Sequence, residues 1–235
     1  MTELESKLQQ RYGVPKPSAE KEESLAEVIA RLRKNATPSA PKSAEIDWTD
    51  ITVVKPLFIK SYEQLCNFRN RPMKLTADFS EAVDKVLNWL CGGYLESRWL
   101  LLSGQCGNGK TTTAKALMTV FAKQGQNSIE KNAFDIDLLY KSVDTKQRAF
   151  DEFTTLKTIP LLFIDDLGTE KNSDGLKEIL YYRYNQMLVT VFTSNLEYKE
   201  LSDKYDARIF DRFEEMTEII NFLGESFRKK QTTLF

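Results

Sequence analysis

The chain is predicted to be an α/β protein, a parallel sheet flanked by helices, and three observations carry that prediction. The first is the segment Gly104-Gln-Cys-Gly-Asn-Gly-Lys-Thr111, a full match to G-x-x-x-x-G-K-[ST]. It lies between a short apolar run at 99–103 and a helix-like stretch at 111–122. The second comes about fifty residues later, where Leu161-Leu-Phe-Ile-Asp-Asp166 reads as a buried strand ending in two acids. The third is the regular alternation of helical and strand patterns from residue 79 onward. Such alternation implies parallel strands, right-handed crossovers and a ligand at the carboxyl ends of the strands.

Taken from the N-terminus, residues 2–12 and 18–34 are helix-prone and are separated by Pro15 and Pro17. Leu25, Val28, Ile29 and Leu32 give the second stretch an apolar face at helical spacing. It is too short to be stable alone, so it either packs on its own chain or docks in a partner's groove. Residues 35–47 form a linker by composition, rich in Pro, Ser and Ala. Residues 48–78 are a connecting region without a clear period, and an ATPase-sized domain is expected over 79–235. Within it, 79–89 is a helix with Ala82, Val83, Val86 and Leu87 periodic. Helices are expected at 135–143, 147–156, 175–186 and 201–216, and strands at 160–165, 188–193 and 218–223. No internal repeat is visible.

Composition narrows the chemistry. The net charge is −1, so any contact with nucleic acid must use a local patch and not an overall basic field. There is no histidine, which removes Ser–His hydrolysis, histidine-ligated zinc and histidine general bases. Cys66, Cys91 and Cys106 lack metal-like spacing, and an odd count points to free thiols in a reducing, cytoplasmic setting. No apolar run approaches membrane-spanning length, and no signal-peptide core is present.

The two motifs together describe a nucleoside triphosphate site. Gly104, Gly107 and Gly109, with Asn108 between them, bring backbone N–H groups onto phosphate oxygens, and the following helix adds its positive end. Lys110 should reach the β- and γ-phosphates, the Thr111 hydroxyl should bind Mg²⁺, and Thr112 should meet a phosphate further back. Alternation along a strand sends Asp165 and Asp166 to opposite faces, which gives them different tasks. Asp165 is assigned to the Mg²⁺ shell and Asp166 to polarising the attacking water. Asn195, after the strand at 188–193, either holds that water or the γ-phosphate or is a plain turn residue. Arg208 and Arg212 share a helix face. They either reach a neighbouring subunit's γ-phosphate or are surface residues bridged to Asp211, Glu214 or Glu215.

In this order, Gly104–Thr111, Leu161-Leu-Phe-Ile-Asp-Asp-Leu-Gly168, Ile179-Leu-Tyr-Tyr-Arg-Tyr-Asn185, Thr193-Ser-Asn-Leu196, Arg208-Ile-Phe-Asp-Arg212 and Gly224-Glu-Ser-Phe-Arg228 form a series. It resembles the DnaC/IstB branch of the AAA+ P-loop NTPases, the bacterial helicase loaders and their transposition-helper relatives. The resemblance covers roughly residues 79–229. It implies an ATPase using ATP and Mg²⁺, without the usual C-terminal helical lid; the short helical N-terminal extension read above matches no loader domain and is a departure from the family pattern. It implies Asn195 as sensor 1, Arg212 as the arginine finger with Arg208 as the alternative, and Arg228 as sensor 2. The implied partners are a replicative helicase, single-stranded DNA and further copies of the chain assembled on ATP. Tyr140, Lys141, Lys146 and Arg148 lie where DNA contacts would fall. An IstB-like helper binding duplex DNA, and a nucleotide-gated binding module with negligible turnover, are the competing expectations.

Overall fold

The computed structural model describes residues 46–224, 226 and 227. The expected N-terminal docking segment, most of the linker and Arg228 lie outside the described residues.

The first helix, α1 (Ile51–Phe68), starts where Asp50 accepts the Thr52 N–H at 2.8 Å. It buries Val54, Phe58, Ser61 and Tyr62, the spacing of one helical face. Pro56 and the lysines at 55 and 60 interrupt the apolar pattern, which is why the sequence gives no clear period there. Helix α2 (Ala77–Cys91) is capped by Thr76, whose hydroxyl accepts the Phe79 N–H, and so begins two residues before the expected start.

The strands are β1 (Trp99–Gly104), β2 (Ser128–Asn132), β3 (Leu161–Leu167), β4 (Val189–Ser194) and β5 (Thr217–Phe222). They form one sheet in the order β2-β3-β4-β1-β5, with every pairing parallel. The crossovers are α3 (Lys110–Lys123), α4 (Ala133–Tyr140), α5 (Gln147–Thr158), α6 (Asp174–Asn185), α7 (Tyr198–Lys204) and α8 (Ala207–Met216). Alternation along β1 divides the core. Leu100 and Leu102 pack with α1, α2 and α3, whereas Trp99 and Leu101 pack with residues of α4–α8 on the other face. Among the described residues, no helix follows β5 and none is long and apolar enough to cross a membrane.

Three elements depart from the sequence expectation. Strand β2 carries Ser, Glu, Lys and Asn around a single isoleucine, a composition with no strand signal. The helix expected at 201–216 is two helices, because Tyr205 is extended and Asp206 caps α8 by accepting the Ile209 N–H at 3.0 Å. The helix expected at 135–143 is shifted to 133–140, since Asn132 caps it through the Phe134 N–H at 2.9 Å.

Candidate functional site

Strand β1 delivers the chain into a tight loop at 105–109, from which α3 starts at Lys110. Two glycines are dictated by geometry. Gly104 has φ 142°, and a Cβ there would collide with the Phe222 carbonyl. Gly109 has φ 98°, and its Cβ would sit 2.8 Å from the Tyr62 hydroxyl of α1. The buried Asn108 donates its amide to the Phe222 carbonyl, which ties the loop to the end of β5. Past β5 the chain returns over the loop, where the Phe227 N–H donates to the Gly107 carbonyl at 2.9 Å.

Lys110 is 5% exposed. Its ammonium donates to the Gly104 and Gln105 carbonyls, both at 2.7 Å, to Asn108 Oδ1 at 3.2 Å and to Asn195 Oδ1 at 3.0 Å. The structure therefore brings Asn195, at the end of β4, to the lysine of the loop 85 residues earlier. Thr111 donates to Asp165 Oδ1 at 3.0 Å, and Thr193 donates to the same oxygen at 2.5 Å. Thr111 and Asp165 are adjacent hard oxygen donors, which fits Mg²⁺ held by few protein groups and completed by phosphate and water. No group of three or more His, Cys, Asp or Glu suited to a metal occurs among the described residues.

The two acids are not separated as simple alternation predicts. The β3–β4 register slips between Ile164 and Leu167, and Asp166 takes a left-handed φ of 53°. This one-residue bulge re-aims the strand end, so that both Asp165 and Asp166 line the same cleft. Thr193 fixes the bulge from β4: its hydroxyl also accepts the Asp166 N–H at 2.9 Å. Asn132, closing β2, donates to Asp166 Oδ2 at 3.4 Å. Backbone strain of this kind in a non-glycine residue is typical of functional sites. Sequence reading missed Thr193 and Asn132, and their place at the carboxyl ends of β4 and β2 is the signal that finds them.

The cleft measures about 720 Å³. Gly107, Gly109, Lys110, Thr111 and Thr112 form its floor. Its far wall is the end of α1 and the turn beyond it, where Tyr62, Arg69, Arg71 and Lys74 project. Residues 48–78 thus contribute to the cleft, and the basic run Arg69-Asn-Arg-Pro-Met-Lys74 is the sequence signal for it. With Lys110 and Lys115 the lining carries five cations against Asp165 and Asp166, a balance suited to a polyphosphate. Burial pushes the Tyr62 phenol up, so Tyr62 is neutral. The Cys106 and Cys66 thiols, neither in a disulfide, also line the cleft.

Arg208 and Arg212 are not in this cleft. They line a separate cavity of about 470 Å³ with Tyr181, Tyr184, Asn185 and Asp211. The Arg212 guanidinium lies 4.4 Å from the Tyr181 ring centre and 4.9 Å from that of Tyr184, and it donates to the Arg208 carbonyl at 3.3 Å. Tyr140 is half-buried, its ring 5.4 Å from that of Phe153 and against Gly175. Lys141 is paired with Asp137 at 3.0 Å, while Lys146 and Arg148 are exposed.

The family described as IstB-like ATP binding protein matches residues 85–234. The replicative helicase loader DnaI of Bacillus subtilis (strain 168) is 26% identical over 115 residues, which are 47% of this chain and 37% of DnaI. The chain therefore spans well under half the length of that relative. The crystal structure of the DnaC helicase loader superposes with a TM-score of 0.56 at 23% identity, over 64% of this chain and 93% of that one. AMPPCP-bound DnaA from Aquifex aeolicus superposes with a TM-score of 0.51 at 22% identity, over 63% and 48%. Both likenesses speak to the fold alone, a parallel sheet flanked by helices.

Proposed function

The chain belongs to the IstB-like ATP binding protein family, a DnaC/IstB-type branch of the AAA+ proteins, and from that premise we propose that it is an ATPase that loads or remodels a replicative DNA helicase. In this reading it hydrolyses ATP at a subunit interface, binds single-stranded DNA and works in the cytoplasm. The likeness to a helicase loader over 115 residues supports the choice of partner.

One observation carries the hydrolytic reading. Lys110, Thr111, Asp165, Asp166 and Asn195 line one cleft, while Arg208 and Arg212 line a different cavity. With Arg208 and Arg212 outside the cleft, they would reach a γ-phosphate from a neighbouring copy of the chain.

The roles follow from the groups present. Loop N–H groups and the N-terminus of α3 cradle the phosphates, and Lys110 exchanges its carbonyl acceptors for β- and γ-phosphate oxygens. Mg²⁺, held by Thr111 and Asp165, would neutralise developing phosphate charge. Asp166 accepts a proton from the attacking water, and Asn195, already bonded to Lys110, orients water or γ-phosphate. Aspartate is a methylene shorter than the glutamate many such ATPases use. The bulge at 165–166 compensates by lifting Asp166 into the cleft.

The test is a pair of variants. Lys110→Ala should lose ATP binding, whereas Asp166→Asn should bind ATP and turn it over at least tenfold more slowly. Wild-type turnover in both would overturn the site. The family's description keeps a second reading in play, a transposition helper on duplex DNA. Competition between single-stranded and duplex DNA in the presence of ATP, with capture of the cognate helicase by the full chain, separates the two. A loader prefers the single strand, weakens with salt and retains the helicase.

A further inference from the structure

The geometry points to Arg69 as a nucleotide ligand, the cation that meets the α-phosphate of the bound nucleotide. This rests on the reading of the cleft as a nucleoside di- or triphosphate site. Arg69 caps the C-terminus of α1, an element outside both nucleotide motifs. Its Nη1 donates to Thr112 Oγ1 at 3.3 Å, in the first turn of α3, and its side chain lines the cleft beside the loop. Lys110 and Thr111 are committed to the β/γ end, through the ammonium and the hydroxyl beside Asp165. Thr112 is one residue deeper in α3, so the phosphate it faces is the one nearest the nucleoside.

A guanidinium offers five donors in a planar fork and no acceptor, so it suits phosphate oxygens and is poorly matched to the acceptor-and-donor edge of a base. Thr112 uses one of those donors, and the others are available to a phosphate. Lys115, the next cation along α3, is held by Glu130 at 2.7 Å and is not placed for this role. The position of α1 is fixed, not incidental. Tyr62, two turns before Arg69, sits so close to Gly109 that no side chain fits between them. Phe58 and Tyr62 are buried in the core cluster that also contains Ala114 and Leu117 of α3. The nucleotide would then be gripped by two elements, α3 through its N-terminus and α1 through its last turn.

The experiment is a binding cycle on the full chain with Mg²⁺ present, using ADP, ATP and the diphosphate carrying sulfur on its α-phosphate. Arg69→Ala should weaken ADP and ATP by the same factor, roughly ten- to a hundredfold for a lost charge-assisted bond. Arg69→Lys should recover part of it. Sulfur on the α-phosphate should weaken the unaltered chain and cost Arg69→Ala little, because the two changes remove one contact. Penalties that simply add, or a loss reproduced in full by Thr112→Val, would mean that Arg69 only props Thr112 and would overturn the assignment. A loss confined to ATP would move the contact to the γ-phosphate and also overturn it. Failure of the underlying reading looks different: the unaltered chain would bind neither ADP nor ATP. Arg69 is exposed, and matched melting temperatures check that each variant is folded.

Discussion

Replacing Thr193 by valine removes one oxygen and keeps the side-chain volume. That oxygen donates to Asp165 Oδ1 at 2.5 Å and accepts the Asp166 N–H at 2.9 Å. The first bond goes to a carboxylate and is worth about 1.5–3 kcal/mol, and an amide losing its acceptor costs about 1–3 kcal/mol when buried. Both acids are only half buried, so the combined loss should be about 2–4 kcal/mol. For a domain of this size that lowers Tm by roughly 5–15 °C. The second effect is on the cation. A group that orients a metal-binding carboxylate typically changes metal affinity by about 10–100-fold. Thermal melts without Mg²⁺ give the first quantity, and Mg²⁺ titration of a fluorescent ADP complex gives the second. An unchanged Mg²⁺ midpoint would refute the claim that Thr193 orients Asp165. An unchanged Tm would refute the claim that it holds the bulge.

Three further outcomes are expected. If Arg212 acts on a neighbouring subunit, mixing Arg212→Ala with Lys110→Ala in the presence of DNA should restore hydrolysis that neither variant has alone, because mixed interfaces pair an intact loop with an intact arginine; no rescue at any ratio would place its action elsewhere. Arg183 is fully buried, and its guanidinium donates to Thr190 Oγ1 and to the carbonyls of Leu156, Lys157, Ile159 and Val189. Burial lowers its pKa to about 9, so it stays cationic at neutral pH. Arg183→Lys has three donors for five acceptors and should cost about 2–5 kcal/mol in urea unfolding. Tyr205 donates to buried Glu170 at 2.7 Å, and burial, then the Glu170 charge, raise its phenol above the ordinary value of 10.0. The folded state therefore keeps a proton that the unfolded state releases above pH 10, so this contribution is complete below about pH 10 and falls as pH rises. Tyr205→Phe should flatten the alkaline loss of stability, and identical slopes in the two proteins would contradict it.

Strands β1 and β3 were legible as apolar runs, β4 and β5 as short segments rich in β-branched and aromatic residues, and the loop because its chemistry demands fixed residue types. Strand β2 was not, since among the described residues it pairs only with β3, at the sheet's rim, and needs no apolar sequence. The apolar face of α1 was hidden by Pro56 and lysines that point to solvent. Cooperation between Asp165 and Asp166 was illegible for a different reason. Alternation is a rule about regular strands, and the bulge that defeats it is a tertiary event, held by a hydroxyl on β4. The separation of Arg212 from the glycine loop is likewise a matter of which cavity α8 faces.

The rim strand β2 has a consequence for how copies of this chain can associate. Its two charged residues are engaged, Glu130 by Lys115 at 2.7 Å and Lys131 by Glu152 at 2.5 Å. A rim guarded by charges resists the addition of another chain's strand, which would otherwise extend the sheet without limit. Association is thereby steered away from irreversible backbone zippering and toward side-chain surfaces. At this rim an incoming chain would meet charged side chains already paired within the fold, so backbone pairing there is disfavoured.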